Sequence, residues 1–230
     1  MSIELSFEQK RFFYRELNRM GEVLEVVGSV AFDCDQILIA SQIPATRVLN
    51  QQFKERYKSS EMRWFLIRDV AIAHGFSPVD AQLLDEYIWS DPDVLSDSPP
   101  IPGALETLRL ISREKETHIA TSRLPFLERV TRDYFGLYAP EHPQERIHIN
   151  RDNRIPGAIF KAVKYLELKV GLVFEDSYSQ AKEILKRTQE IQTYVVLVAS
   201  TDDSYNLEDE RIIRLPSMMH VFAHLTGNPV

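Results

Sequence analysis

Carboxylates and hydroxyls stand directly after three short apolar runs of this chain. Asp33-Cys34-Asp35 follow residues 23–32 (VLEVVGSVAF). Thr121-Ser122-Arg123 follow 117–120, and Glu175-Asp176-Ser177 follow 170–174 (VGLVF). In an extended segment residues i and i+2 point the same way, so Asp33 and Asp35 can face one pocket. With Glu175 and Asp176, up to four negative groups converge there. Such a cluster is costly unless a cation neutralises it or some groups take up protons. An oxygen-only donor set favours a hard ion such as Mg²⁺. Mg²⁺ commonly shares its site with phosphate, and a carboxylate can attack phosphorus to give an aspartyl-phosphate. Thr121 and Ser122 can donate hydrogen bonds to phosphate oxygens, and a lysine nearby can balance the charge.

These residues need a scaffold that brings strand ends together. From residue 104 onward helix-like and strand-like stretches alternate. Helices are expected at 104–112, 126–135, 157–166 and 178–188. Strands are expected at 117–121, 146–149, 170–174 and 193–199. That alternation predicts an α/β fold, a parallel sheet with helices on both faces and ligands at the strands' carboxyl ends. The apolar run at 23–32 supplies a further strand. Residues 41–99 differ: three helix-like segments, near 46–57, 61–74 and 78–89, form an insert closed by Asp97-Ser98-Pro99-Pro100-Ile101-Pro102-Gly103, a hinge by composition. Residues 6–20 read as a helix preceding the first strand.

A D-x-D spacing alone is weak evidence, and the chain carries its own control. Asp91-Pro92-Asp93 has no strand before it and reads as a solvated loop. Cys34 points away from its two neighbours and reads as a buried thiol. His118 reads as structural, and His220 and His224 as part of an ordinary terminal helix. Asp202 and Asp203 read as loop residues. Arg47, Lys54, Arg56, Lys58, Arg63 and Arg68, with Trp64 and Phe65 among them, read as a solvated face. The sharper alternative is that one or two of them select a phosphorylated substrate, such as a nucleotide.

The chain has 230 residues, 44% hydrophobic and 27% charged, with a net charge of −7. That is ordinary for a globular chain large enough to bury a core without staples. The acidic balance disfavours a nucleic-acid polymer as partner. One cysteine excludes an internal disulfide and a multi-cysteine metal site. No apolar run approaches about 18 residues, so no membrane span is expected. The first residues do not form a signal peptide, and a cytoplasmic location is expected.

The order of segments resembles the haloacid dehalogenase (HAD)-like phosphohydrolase superfamily. VAFDCD resembles its first motif, HIATS its second and LVFEDS its fourth, over roughly residues 26–200. The resemblance implies a Rossmann-like core of 1–40 and 100–230 with a small α-helical cap at 41–99. It implies Asp33 as nucleophile and metal ligand. Asp35 is implied as general acid and then base, its backbone carbonyl on the metal. Thr121 and Ser122 are implied for phosphate, and Glu175 and Asp176 for Mg²⁺. Lys161 is preferred as the third-motif lysine, ahead of Lys164 and Arg154. Gln36 and Ile37 depart from the family's pattern of a small residue and then Thr or Val. Residues 1–22 form an added helix that either covers the core or joins a second copy in a homo-oligomer. The function implied is a Mg²⁺-dependent phosphomonoesterase acting on a small phosphorylated metabolite, nucleotides included. The alternatives are a degenerate member that binds a phosphorylated ligand or a protein partner without turnover, and a phosphomutase or dehalogenase.

Overall fold

The computed structural model describes residues 7–62, 66–198 and 209–228. Six strands form one sheet: β1 Ser29–Asp33, β2 Glu116–Thr121, β3 Ile147–Ile149, β4 Leu172–Glu175, β5 Tyr194–Val198 and β6 Ile212–Leu215. Their order is β3-β2-β1-β4-β5-β6, and every pairing is parallel. The chain winds outward in both directions from β1. This is the Rossmann-type order, whose ligand crevice opens at the carboxyl ends beside the point of reversal. β1 is buried at all five positions, as a central strand covered on both faces must be. Phe32 of β1 and Phe174 of β4 stack at 4.7 Å across the strand pair.

Two apolar layers sandwich the sheet. One gathers Phe32, Ile119, Phe174 and Val196 with α6 (Ala104–Ser112), α7 (Glu128–Tyr138) and α10 (Met218–Leu225). The other joins Ala31, Ala120, Val173 and Val195 to α8 (Gly157–Glu167) and α9 (Tyr178–Arg187). Residues of opposite parity on each strand thus serve opposite layers, as the pleat requires.

The first helix, α1, runs from Phe7 to Val26, so the expected strand at 23–32 begins only at Ser29. Leu17, Met20 and Val23 recur at helical spacing and join the core beside β6, which continues the helix past the point where the valines favour a strand. The added helix therefore covers the core.

Between β1 and α6 come α2 (Gln42–Phe53), α3 (Leu66–Ala73), α4 (Pro78–Ser90) and α5 (Pro92–Ser96). They bury their own cluster, including Leu49, Phe53, Ile67, Val70 and Ile88. Ser77 caps α4 by accepting the Asp80 N–H, with Pro78 in the first turn. Asp91-Pro92-Asp93 is a correction: Asp91 accepts the Asp93 N–H at 2.9 Å and caps α5, so the stretch is a helix start rather than a loop. The two chain crossings into this block lie side by side. Ala40 N–H donates to Pro99 O, and Ile101 N–H donates to Leu38 O. Arg63, Trp64, Phe65 and 199–208, which include Asp202 and Asp203, lie outside the described residues.

Candidate active site

Asp33 closes β1, Thr121 closes β2 and Glu175 closes β4, so three neighbouring strands deliver their last side chains to one place. Lys161 reaches them from α8. Its ammonium lies 2.8 Å from Asp33 Oδ1 and 2.9 Å from Glu175 Oε2, with no exposed surface. Buried lysine is tolerated only when paired, and here two carboxylates hold it charged: burial pushes its pKa down, and Asp33 and Glu175 outweigh that and lift it well above its usual value. Lys164 pairs instead with Glu167 near the surface, and Arg154 with Asp152. Of the three basic candidates, only Lys161 meets the strand-end acids.

The remaining contacts set the acids' geometry. Cys34 N–H donates to Asp33 Oδ1 at 2.7 Å, and Ser177 N–H donates to Glu175 Oε1 at 3.2 Å. Asp33, Glu175 and Asp176 each present an oxygen within 4.8 Å of the others. Burial pushes the Asp33 carboxyl up to about 7, partly offset by Lys161 and reinforced by Glu175 and Asp35. Burial also lifts Asp176 well above the usual carboxylate range, with Glu175 and Asp33 adding to it. Three carboxylates face one ammonium, a surplus of two negative charges when all are ionised. An oxygen-only donor set with that surplus fits a divalent hard cation such as Mg²⁺.

Asp35 departs from the convergence expected of four acids. Its carboxylate turns to Arg123, which donates from Nη2 to Oδ1 at 2.7 Å and from Nε to Oδ2 at 3.0 Å. The third arm of the guanidinium, Nη1, donates to Thr131 Oγ1 at 3.0 Å. Burial pushes the Asp35 carboxyl up, but the charge and hydrogen bonds of Arg123, helped by Ser41, hold it below the usual range. The acid cluster is therefore Asp33, Glu175 and Asp176 alone among the described residues. Arg123 is the partner that the sequence reading missed. The signal was present: Arg123 stands two residues after Thr121, the same i, i+2 relation that drew attention to Asp35.

Thr121 is buried, and its Oγ1 accepts the Arg123 N–H at 3.2 Å, which leaves the hydroxyl proton for another acceptor. Ser122 is exposed beside the start of α8. A Cβ on Gly157 would fall 2.4 Å from the Ser122 Cβ, so only glycine lets the loop after β2 close on the helix that carries Lys161. Gln36 holds a left-handed φ of 61° in the turn after the D-x-D, donating from Nε2 to Ser41 at 2.9 Å. A small residue suits that conformation better, and Gln costs about 1–2 kcal/mol there. Ile37 is fully buried in the core, so its missing hydroxyl is not missing from the pocket. Cys34 is fully buried, and burial pushes its thiol up, away from nucleophilic use. His118 lies within β2, and His220 accepts or donates a bond to Ser217 at the start of α10. Arg47 pairs with Asp97 in the open, as a solvated face does.

No protein-family model matches this chain, and no curated protein sequence does. Solved structures do. A haloacid dehalogenase-like family hydrolase from Streptococcus pneumoniae superposes with a TM-score of 0.61 at 13% identity, covering 86% of this chain and 98% of its own. The HAD-hydrolase YfnB from Bacillus subtilis, solved bound to magnesium, gives 0.57 at 14% identity, covering 86% and 97%. CbbY from Rhodobacter sphaeroides, solved in complex with phosphate, gives 0.52 at 14% identity, covering 87% and 100%. The chain has the fold of the HAD-like hydrolases.

Proposed function

We propose that this protein is a Mg²⁺-dependent phosphomonoesterase that works through an aspartyl-phosphate on Asp33. The observation that carries this reading is the buried Asp33–Lys161–Glu175 chain at the carboxyl ends of β1 and β4. Asp33 Oδ1 is committed to Lys161 and the Cys34 N–H, so Oδ2 is the oxygen assigned to attack phosphorus. The Asp33–phosphorus bond forms as the bond to the leaving oxygen breaks. Lys161 offsets part of the burial penalty on the Asp33 carboxylate and faces the charge gathering on the phosphoryl oxygens. The Thr121 hydroxyl, and Ser122 beside it, donate to those oxygens. Asp33, Glu175 and Asp176, with the backbone carbonyl of Asp35, would hold Mg²⁺, which supplies charge neutralisation at the phosphoryl group. The helical block over residues 41–99 acts as the cap that excludes water. The magnesium in YfnB and the phosphate in CbbY are compatible with this assignment.

Asp35 enters the cycle held by Arg123 as a carboxylate, which is the form of a base. It takes the proton of the water that hydrolyses the aspartyl-phosphate. An alcohol leaving group needs a proton in the first step, and Asp35 supplies it only once the pair with Arg123 opens and the freed carboxylate has taken up a proton from solvent. That pair, with the strained Gln36, favours the second reading, a protein that binds a phosphorylated small molecule without turning it over.

The test is release of phosphate from a panel of phosphomonoesters, with Mg²⁺ and with EDTA, for wild type and Asp33→Asn. Metal-dependent release that vanishes in Asp33→Asn is expected. A folded wild type that binds Mg²⁺ and releases no phosphate across the panel points to the binding role.

A further inference from the structure

The two halves of α1 do different things. Its buried residues are Glu16, Leu17, Met20 and Val23, all in the half that lies on the core. The half before them, Phe7–Arg15, holds Phe7, Phe12, Phe13 and Tyr14, and none of these is buried. Phe7 and Tyr14 are 81% and 67% exposed. At about 3.6 residues per turn they share one face, with Lys10 on one flank and Arg11 and Arg15 on the other. All three cations are exposed, against the single acid Glu8 in this half. Arg15 lies 5.2 Å over the Phe12 ring and 3.4 Å from Glu16, whereas Lys10 and Arg11 have no ion pair among the described residues.

In the helical block, α4 presents the reverse. Val79, Leu83 and Tyr87 recur at every fourth residue and are 68%, 58% and 63% exposed. Ile72 and Phe76, just before α4 in the chain, are exposed as well. Asp80 and Glu86 flank the row, one on each side, and both are exposed. The helix contains no lysine or arginine. Single exposed apolar residues are ordinary, but a row of three along one helix face is a patch, and patches mark contact surfaces.

We propose that the Phe7–Arg15 half of α1 in one copy of this chain docks on the α4 face of a second copy. Phe7 to Tyr14 spans about 10 Å along its helix and Val79 to Tyr87 about 12 Å, so the two apolar rows match in length. Phe7 and Tyr14 pack against Val79, Leu83 and Tyr87, while Lys10 and Arg11 meet Asp80 and Glu86 at the rim. Charge selects this pairing over the alternatives. Two α4 faces set acid against acid, and two α1 faces set cation against cation. Both faces stand exposed in one chain, so neither satisfies the other within it. A two-fold axis forms the contact twice, once in each direction.

The experiment is sedimentation equilibrium of the full chain. Concentration-dependent self-association is expected, and it should vanish in Tyr14→Asp and in Leu83→Asp. These positions and the rim charges are exposed, so the variants should keep the wild-type circular dichroism spectrum. Reversing one rim, Lys10→Glu with Arg11→Glu or Asp80→Lys with Glu86→Lys, should weaken association at least about tenfold. Combining all four reversals in one chain restores opposite charges at every contact and should recover it. A wild type that stays monomeric up to about 100 μM, a concentration that detects even weak pairing, overturns the proposal. So does undiminished association in folded Tyr14→Asp or Leu83→Asp, or a four-site reversal that binds no tighter than either pair alone.

Discussion

The two D-x-D stretches of this chain share a spacing and little else. Asp33-Cys34-Asp35 closes a central strand, where Asp33 meets a fully buried lysine and Asp35 a buried arginine. Asp91-Pro92-Asp93 opens a five-residue helix at the surface, where the first aspartate caps a backbone N–H and the second is exposed. The same residue types perform different physical work because water has been removed from one pair. At the surface a carboxylate is solvated whether or not it finds a partner, and pairs there contribute little. At the strand end each carboxylate must find a cation, a donor or a proton. Burial with converging counter-charge separates a site from a cap.

That contrast breaks most visibly at Lys161. Lys161→Met removes the only cation between Asp33 and Glu175 among the described residues. Urea denaturation should show a loss of about 3–5 kcal/mol, as expected when one partner of a buried ion pair is deleted. The second effect is the response to Mg²⁺. The folded-state pKa of Asp33 is raised to about 7 from 3.8. A raised carboxyl binds its proton more tightly when folded, so this contribution is full below about 3.8 and is lost as pH rises to about 7. His142 and His148, lowered to about 4, act in the opposite direction between pH 4 and 6.5, so Asp33→Asn is the reference. Thermal melts in EDTA should show wild type losing stability relative to Asp33→Asn across pH 4–7. Mg²⁺ should restore it with increasing effect toward pH 8, by about 2.7 kcal/mol at a hundred times its Kd.

A smaller loss is expected at Arg123. Arg123→Met strands an Asp35 carboxylate whose side chain is 33% exposed, so water relieves part of the penalty. The cost should be about 2 kcal/mol by denaturant titration, less than at Lys161, where nothing is exposed. At the surface motif, Asp91→Ala should cost about 1 kcal/mol, the ordinary worth of a helix cap, and Asp93→Ala less. A loss at Asp91 as large as that at Lys161 would erase the distinction between the two stretches.

Much of this was legible in the sequence, for a physical reason. Strands covered on both faces must be short apolar runs, and their ends must be polar where the sheet opens, so Asp33, Thr121 and Glu175 announced themselves. Lys161 and Lys164 both lie on α8 and share its periodicity, and only burial against Asp33 separates them. Arg123 pairs with Asp35 across 88 positions, a relation that no local pattern encodes. The boundary near residue 26 was misplaced because Val23, Val26 and Val27 suit a strand locally while Leu17, Met20 and Val23 extend a helical stripe. β6, with only four residues, carries too short a pattern to stand out.

The paired crossings at Leu38–Ala40 and Pro99–Ile101 bear on how this molecule can change over time. Entry and exit of the helical block share one doorway, fastened by two backbone hydrogen bonds. The block is therefore a side branch of the chain rather than a stage in its winding. It can be lengthened, trimmed or exchanged without re-threading a strand. Its sequence can be rewritten while the strand-end acids keep their places in the sheet.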